Sequence, residues 1–184
     1  MAVKTFTTGE VLTASDTNTY LANSGLVYVT SATIGTAVAS VTVSNCFSST
    51  YDNYKVTIHG GVASNLSTIT MQLGASTTGY YSIVNYAAYA TATTPASAGD
   101  NNAALWTYMG YGTTNFLQMN VDILNPYAAK HTTYGPANWA AGTVAGLSSG
   151  IHAVATSYAS FTIAVTAGLT MTGGTITVYG YRKA

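Results

Sequence analysis

From Leu26 onward apolar and polar residues alternate with a period of two, and β-branched and aromatic side chains carry the alternation, which predicts strands. In Tyr54-Lys55-Val56-Thr57-Ile58-His59, for example, Tyr54, Val56 and Ile58 share one face while Lys55, Thr57 and His59 share the other. Comparable runs are Leu26 to Ser31, Ala37 to Val43, Ser67 to Leu73, Tyr80 to Tyr89, Ala104 to Met109, Phe116 to Leu124, Gly150 to Thr156, Ser160 to Val165 and Gly174 to Tyr181. Turn clusters separate them: Ser48 to Asn53, Gly60-Gly61, Gly74 to Gly79, Thr94 to Asn102 and Asn125-Pro126. Eight to ten strands without intervening helices predict an all-β fold, an antiparallel β-sandwich resembling a jelly roll, rather than a βαβ architecture. The closing run, Thr175 to Tyr181, predicts a terminal strand held inside a sheet, with Arg182-Lys183 exposed beyond it.

Residues 1–25 break this pattern. Thr13-Ala14-Ser15-Asp16 has capping-box spacing, with a hydroxyl placed to accept the third helical N–H and a carboxylate near the positive end of the helix dipole. A short helix is expected from there to about Asn23, presenting Tyr20 and Leu21 and ending before Gly25. Two or three turns do not persist alone in water, so something must dock against them. The chain thus divides into an N-terminal segment, 1–25, and a β-sandwich domain, 26–184.

Charge changes the picture most. Asp, Glu, Lys and Arg make up 5% of the 184 residues and cancel to a net charge of zero, against about 25% in an average soluble domain. Open sheet edges are usually guarded by Lys, Pro or inward-pointing charges, and these strands hold almost none. Neighbouring copies that cover the edges resolve the conflict, so an oligomer is expected. No run approaches the roughly 20 apolar residues of a membrane-spanning helix, so membrane insertion is not expected. The first residues lack the apolar stretch of a secretory signal, and cytoplasmic synthesis is the expectation. Cys46 stands alone beside Phe47 and reads as a small buried hydrophobe.

Little in the chain suggests catalysis or a cofactor. The carboxylates are scattered over the N-terminal segment (Glu10, Asp16), predicted turns (Asp52, Asp100) and a strand end (Asp122), which does not suggest a paired-carboxylate site. His59, His131 and His152 lack metal-ligand spacing, although one histidine per subunit on a threefold axis remains an open arrangement. Gly146-Leu147-Ser148-Ser149-Gly150 matches the G-x-S-x-G nucleophile turn, but no acidic residue follows Asp122, and an inter-strand loop is the expected reading. Gly110-Tyr111-Gly112 has neither the helix nor the Lys of a phosphate loop. Five dispersed basic residues do not make a nucleic-acid footprint. What remains is recognition by aromatic side chains, since fifteen Tyr and two Trp offer rigid amphipathic area of the kind that binds a glycan or a protein partner. Tyr111, Tyr134 and Trp139 are the candidates, with a core or subunit-interface role as the alternative for each.

Two stretches carry a family resemblance. Phe6-Thr7-Thr8-Gly9-Glu10-Val11-Leu12-Thr13-Ala14-Ser15-Asp16-Thr17-Asn18-Thr19-Tyr20-Leu21 resembles the N-terminal "F-x-x-G-E-x-L-T-A-x-D-x-N-x-Y-L" segment of tail-fibre and minor virion proteins of tailed bacteriophages, common in phages of marine bacteria and cyanobacteria. Phe47 to Tyr54, together with Gly174 to Tyr181, is similar to the start and end of their β-rich body. The resemblance implies a homotrimeric virion protein assembled in the host bacterial cytoplasm, with other tail or capsid proteins as partners. Phe6, Val11, Leu12, Tyr20 and Leu21 would anchor it to the particle. Such fibre proteins are often much longer, which leaves two roles open: a small tail-fibre or adsorption subunit, and a capsid decoration (cement) or head-fibre protein.

Overall fold

The computed structural model describes residues 5–17, 25–91, 94–140 and 142–183. Its strands, in chain order, are β1 (Leu26–Thr33), β2 (Ser40–Val43), β3 (Asn53–His59), β4 (Val62–Ala63), β5 (Ser67–Leu73), β6 (Tyr80–Ala88), β7 (Ala96–Ala103), β8 (Trp106–Gly112), β9 (Leu117–Leu124), β10 (Thr132–Ala140), β11 (Val144–His152), β12 (Phe161–Val165), β13 (Met171–Thr172) and β14 (Thr175–Tyr181). Every ladder is antiparallel.

One layer runs β1-β14-β3-β9-β10-β11-β6-β7 and the other β2-β12-β5-β8; β8 joins the first layer through Tyr111–Gln118 and Gly112–Leu117 pairing with β9. Set aside the β10–β11 hairpin and the flanking β1 and β14, and the order becomes β2-β12-β5-β8 across from β3-β9-β6-β7. That is the strand order of an eight-stranded jelly roll, so the fold is an all-β antiparallel sandwich of that kind. The two-stranded ribbon β4–β13 sits apart from both layers.

Alternation puts Val56 and Ile58 of β3, Met119 and Val121 of β9, Ile69 and Met71 of β5 and Phe161 and Ile163 of β12 into one core. Trp106 is fully buried there, its ring edge-on to Tyr80 at 5.2 Å and to Tyr134 at 4.8 Å. Cys46 is buried in the same core, and burial pushes its thiol up to about 12, so it is inert as a nucleophile. The two segments of the second resemblance meet. Tyr54 pairs with Gly180, Phe47 lies 4.8 Å from the Tyr54 ring, and Tyr51 covers the Gly180 backbone where a Cβ would collide with its ring.

Three expectations change. The turn cluster Thr94 to Asn102 mostly forms β7, an edge strand whose Ala, Ser, Gly and Asn residues carry no apolar alternation and which β6 holds in register. Its Asp100 carboxylate accepts from the Ser82 hydroxyl at 2.5 Å, the Thr107 N–H at 2.8 Å and the Thr107 hydroxyl at 2.7 Å. Gly146 to Gly150 is not a loop but the middle of β11. There the buried Ser148 donates its hydroxyl proton to the Tyr108 carbonyl, which ties it to β8 and leaves it no histidine partner. β10, absent from the expected runs, crosses Gly135-Pro136 with a bulge against β11 between Tyr134 and Ala137.

In the N-terminal segment the helix α1 (Ala14–Asp16) begins at Thr13 with the expected capping box, the Asp16 N–H reaching the Thr13 hydroxyl at 3.1 Å and the Thr13 N–H reaching the Asp16 carboxylate at 3.1 Å. The rest of the expected helix, with Tyr20 and Leu21, lies outside the described residues.

Candidate functional site

The Gly135-Pro136 bulge stands beside a cleft in the outer surface of the sheet. Proline has no N–H to give a ladder, and a bulge bends its strand. β10 accordingly pairs with β9 only through Thr133–Leu124 and Tyr134–Ile123 before it turns away. β9 meets β8 only at its other end, so the stretch Met119–Asp122 has no ladder partner on that edge. A cleft of about 490 Å³ opens at this change of partner, within the range of about 300–1,000 Å³ typical of small-ligand sites.

Residues on the outward faces supply its walls: Thr57 on β3, Gln118 and Asn120 on β9, and Asn138 on β10. Ile58 and Met119 also border it, their side chains buried in the core beneath, and Ala140, Ala145 and Gly146 complete the lining. Thr57 and Asn120 are cross-strand partners, so a hydroxyl and a carboxamide stand side by side. Among the described residues none of the three carboxamides hydrogen-bonds to another side chain, and no ionisable group lines the cleft.

Along the same β9–β10 seam a smaller hollow of about 280 Å³ lies between Asp122, Leu124, Gly135 and Tyr181. Its polar centre is satisfied internally. Asp122 accepts from Lys55 Nζ at 2.9 Å and from the Tyr181 hydroxyl at 2.5 Å. Burial, followed by the bond to Asp122 and its charge, pushes the Tyr181 hydroxyl up to about 12, which keeps it the donor in that pair.

The aromatic candidates are elsewhere. Tyr111, Tyr134 and Trp139 are only 6%, 3% and 8% exposed, so their reading as displayed recognition residues is corrected: their rings fill the interior. Tyr134 packs edge-on against Trp106 in the main core, while Trp139 packs against Tyr111 at 4.9 Å and Tyr86 at 5.0 Å in a second, smaller cluster. Cross-strand glycines make the room, since a Cβ on Gly150 would meet the Tyr134 ring at 2.6 Å. Of the attachment candidates, Phe6, Val11 and Leu12 are exposed on the N-terminal segment, Val11 the most at 79%.

The histidines do not converge. His59 and His131 are exposed and His152 is buried, and no group of three or more metal-ligating side chains occurs among the described residues. His152 lies against the Tyr80 ring at 4.1 Å with Nε2 2.7 Å from the Tyr158 hydroxyl. Burial, and to a lesser degree the charge of His131, holds it below the usual histidine value, partly offset by a backbone bond at Gly79. Its depressed folded-state value means that the neutral ring contributes stability above the unfolded value of 6.5, and that this contribution is lost as pH falls below 6.5 toward the folded value. Thermal melts across this window are expected to show a falling Tm on acidification, and His152→Phe, which keeps the stacking, is expected to flatten that slope. An unchanged slope in the variant would place the titration at other groups.

No family model, curated protein or solved structure matches this chain. The site is therefore read from its own geometry.

Proposed function

We propose that this chain is a structural subunit of a bacteriophage virion, a small homotrimeric tail-fibre or adsorption-associated protein that attaches through its N-terminal segment and displays the jelly roll outward. The observation that carries the proposal is the state of the sheet edges. Among the described residues β1, β2 and β7 each lack a ladder partner on one edge, and they contain no Lys, Arg or Pro; the single charge among them, Asp100, is consumed by Ser82 and Thr107. Exposed edges of this kind template pairing with another chain. Leu26 and Tyr28 on β1 are exposed as well, beside the β14 edge-on contact of Tyr28 with Tyr179 at 6.3 Å.

The resemblance supplies the trimer and the particle, and the exposed Phe6, Val11 and Leu12 are consistent with an anchor that finds its partner on another protein. Sedimentation equilibrium of the purified protein is expected to return about three times the 18.9 kDa chain mass. Leu26→Lys with Tyr28→Lys is expected to lower that mass toward one chain without unfolding it. A dilute wild-type chain that stays monomeric would end the proposal. Copy number on the particle separates the tail role from the capsid decoration role: few copies for the first, tens to hundreds for the second.

A further inference from the structure

We propose that the cleft at the β9–β10 divergence binds a neutral glycan, with Gln118, Asn120 and Asn138 as its hydrogen-bonding residues. The cleft belongs to each protomer, so this inference goes beyond the virion reading and stands independently of the oligomeric state.

The chemistry of the walls selects the ligand. A sugar hydroxyl both donates and accepts, and a carboxamide answers with two donors on nitrogen and two acceptor sites on oxygen. Three carboxamides and the Thr57 hydroxyl converge on the cleft with their bonding capacity unspent within the protein. A charged ligand would give up hydration without a counter-charge, because no ionisable side chain lines the site. A purely apolar ligand would strand the carboxamides unpaired. Ala140 and Ala145 add apolar surface to the lining beside these polar groups. That combination fits a sugar ring, whose C–H faces are apolar and whose perimeter is polar.

An extended peptide is the competing occupant, since β9 presents an unpaired edge here. Strand addition draws its affinity from a regular main-chain ladder, and the unpaired stretch of β9 is only Met119–Asp122, closed by β8 at one end and by β10 at the other. The geometry that opens the cleft is the geometry that spoils it for a strand.

The test is calorimetric titration of the full chain with a panel of neutral trisaccharides, maltotriose, cellotriose, mannotriose and chitotriose, each to millimolar concentration. At least one is expected to bind. Asn120→Leu with Asn138→Leu is expected to weaken it by about tenfold or more, the combined effect of two lost hydrogen bonds. Asn101→Leu, a carboxamide exposed on the edge strand β7, is expected to leave the affinity unchanged. Chemical-shift changes on the side-chain amides of Gln118, Asn120 and Asn138 give a second readout that needs no variant. Absence of heat from every trisaccharide overturns the proposal, as does binding that survives the double substitution. Preferential binding of a capped hexapeptide of Thr and Val, lost in the same variant, would assign the cleft to a strand instead. None of these outcomes bears on the sedimentation result, so the two proposals fail separately.

Discussion

A chain ending at Gly174 is expected not to fold. β14 is an interior strand: Leu26–Tyr181 through Thr33–Thr175 tie it to β1, and Thr175–His59 through Gly180–Tyr54 tie it to β3. Removing it strands β1 altogether, since β14 is its only ladder partner among the described residues. It also exposes the flank of β3 and deletes Ile176 and Val178, both fully buried. Each of those side chains is worth about 1.5–3 kcal/mol in burial alone, and the lost cover over Val56, Ile58 and Tyr51 adds to that. The two side chains alone take a large part of the net stability of about 5–15 kcal/mol of a typical domain, and the loss of the ladders to both β1 and β3 removes the rest. Far-UV circular dichroism of the truncated chain should show no cooperative melt. A chain ending at Tyr181 is the control. It loses the Lys183–Asp52 pair, 2.7 Å apart but exposed, and exposed pairs contribute at most about 1 kcal/mol. It should therefore melt as a folded protein, and a cooperative transition in the shorter chain would show that the remaining strands can close the core without β14.

The parts of the fold visible in the residues are those where side-chain identity and strand geometry agree. β3 and β5 alternate β-branched and aromatic residues with polar ones, and their observed bounds, Asn53–His59 and Ser67–Leu73, lie within one residue of the expected runs. β7 carries no such pattern. Its conformation comes from β6 and from Asp100, which is information held in the partner. The aromatic residues taken for surface contacts mislead for a related reason. Gly146 and Gly150 look like loop punctuation in the chain, yet they pair with Trp139 and Tyr134 across β10–β11, and at Gly150 the missing side chain is the space the tyrosine ring occupies. The cleft was legible least of all. Gln118, Asn120 and Asn138 are ordinary exposed residues in sequence, and what brings them together is a bulge and a change of ladder partner, both tertiary events. The dipeptide Gly135-Pro136 was the one available signal, because it cannot sit in a regular interior strand.

Trp106→Ala is expected to be the most damaging single substitution. The indole is fully buried between Tyr80 and Tyr134, with Nε1–H directed at the Ile151 carbonyl at 3.4 Å. It sits on β8, and through those contacts it links the β2-β12-β5-β8 layer to β6, β10 and β11 of the other. Truncation to Ala removes the indole and leaves a cavity that two large neighbouring rings cannot close without leaving their own positions. Tyr80 is held by its hydroxyl, which accepts from the Leu73 N–H at 2.8 Å, and by the His152 ring against its face. The expected cost is about 3–5 kcal/mol, which for a domain of this size lowers Tm by roughly 6–20 °C. Trp139→Ala makes the informative comparison. Trp139 belongs to the smaller cluster, retains 8% exposure, and its Nε1–H has no partner among the described residues, so its loss forfeits none of the hydrogen bonds described. It should cost measurably less, with the near-UV signal of Trp106 preserved. Equal losses in the two variants would mean that the β10–β11 hairpin is as integral to the core as the jelly-roll strands, and the division into a main and a satellite cluster would have to be abandoned.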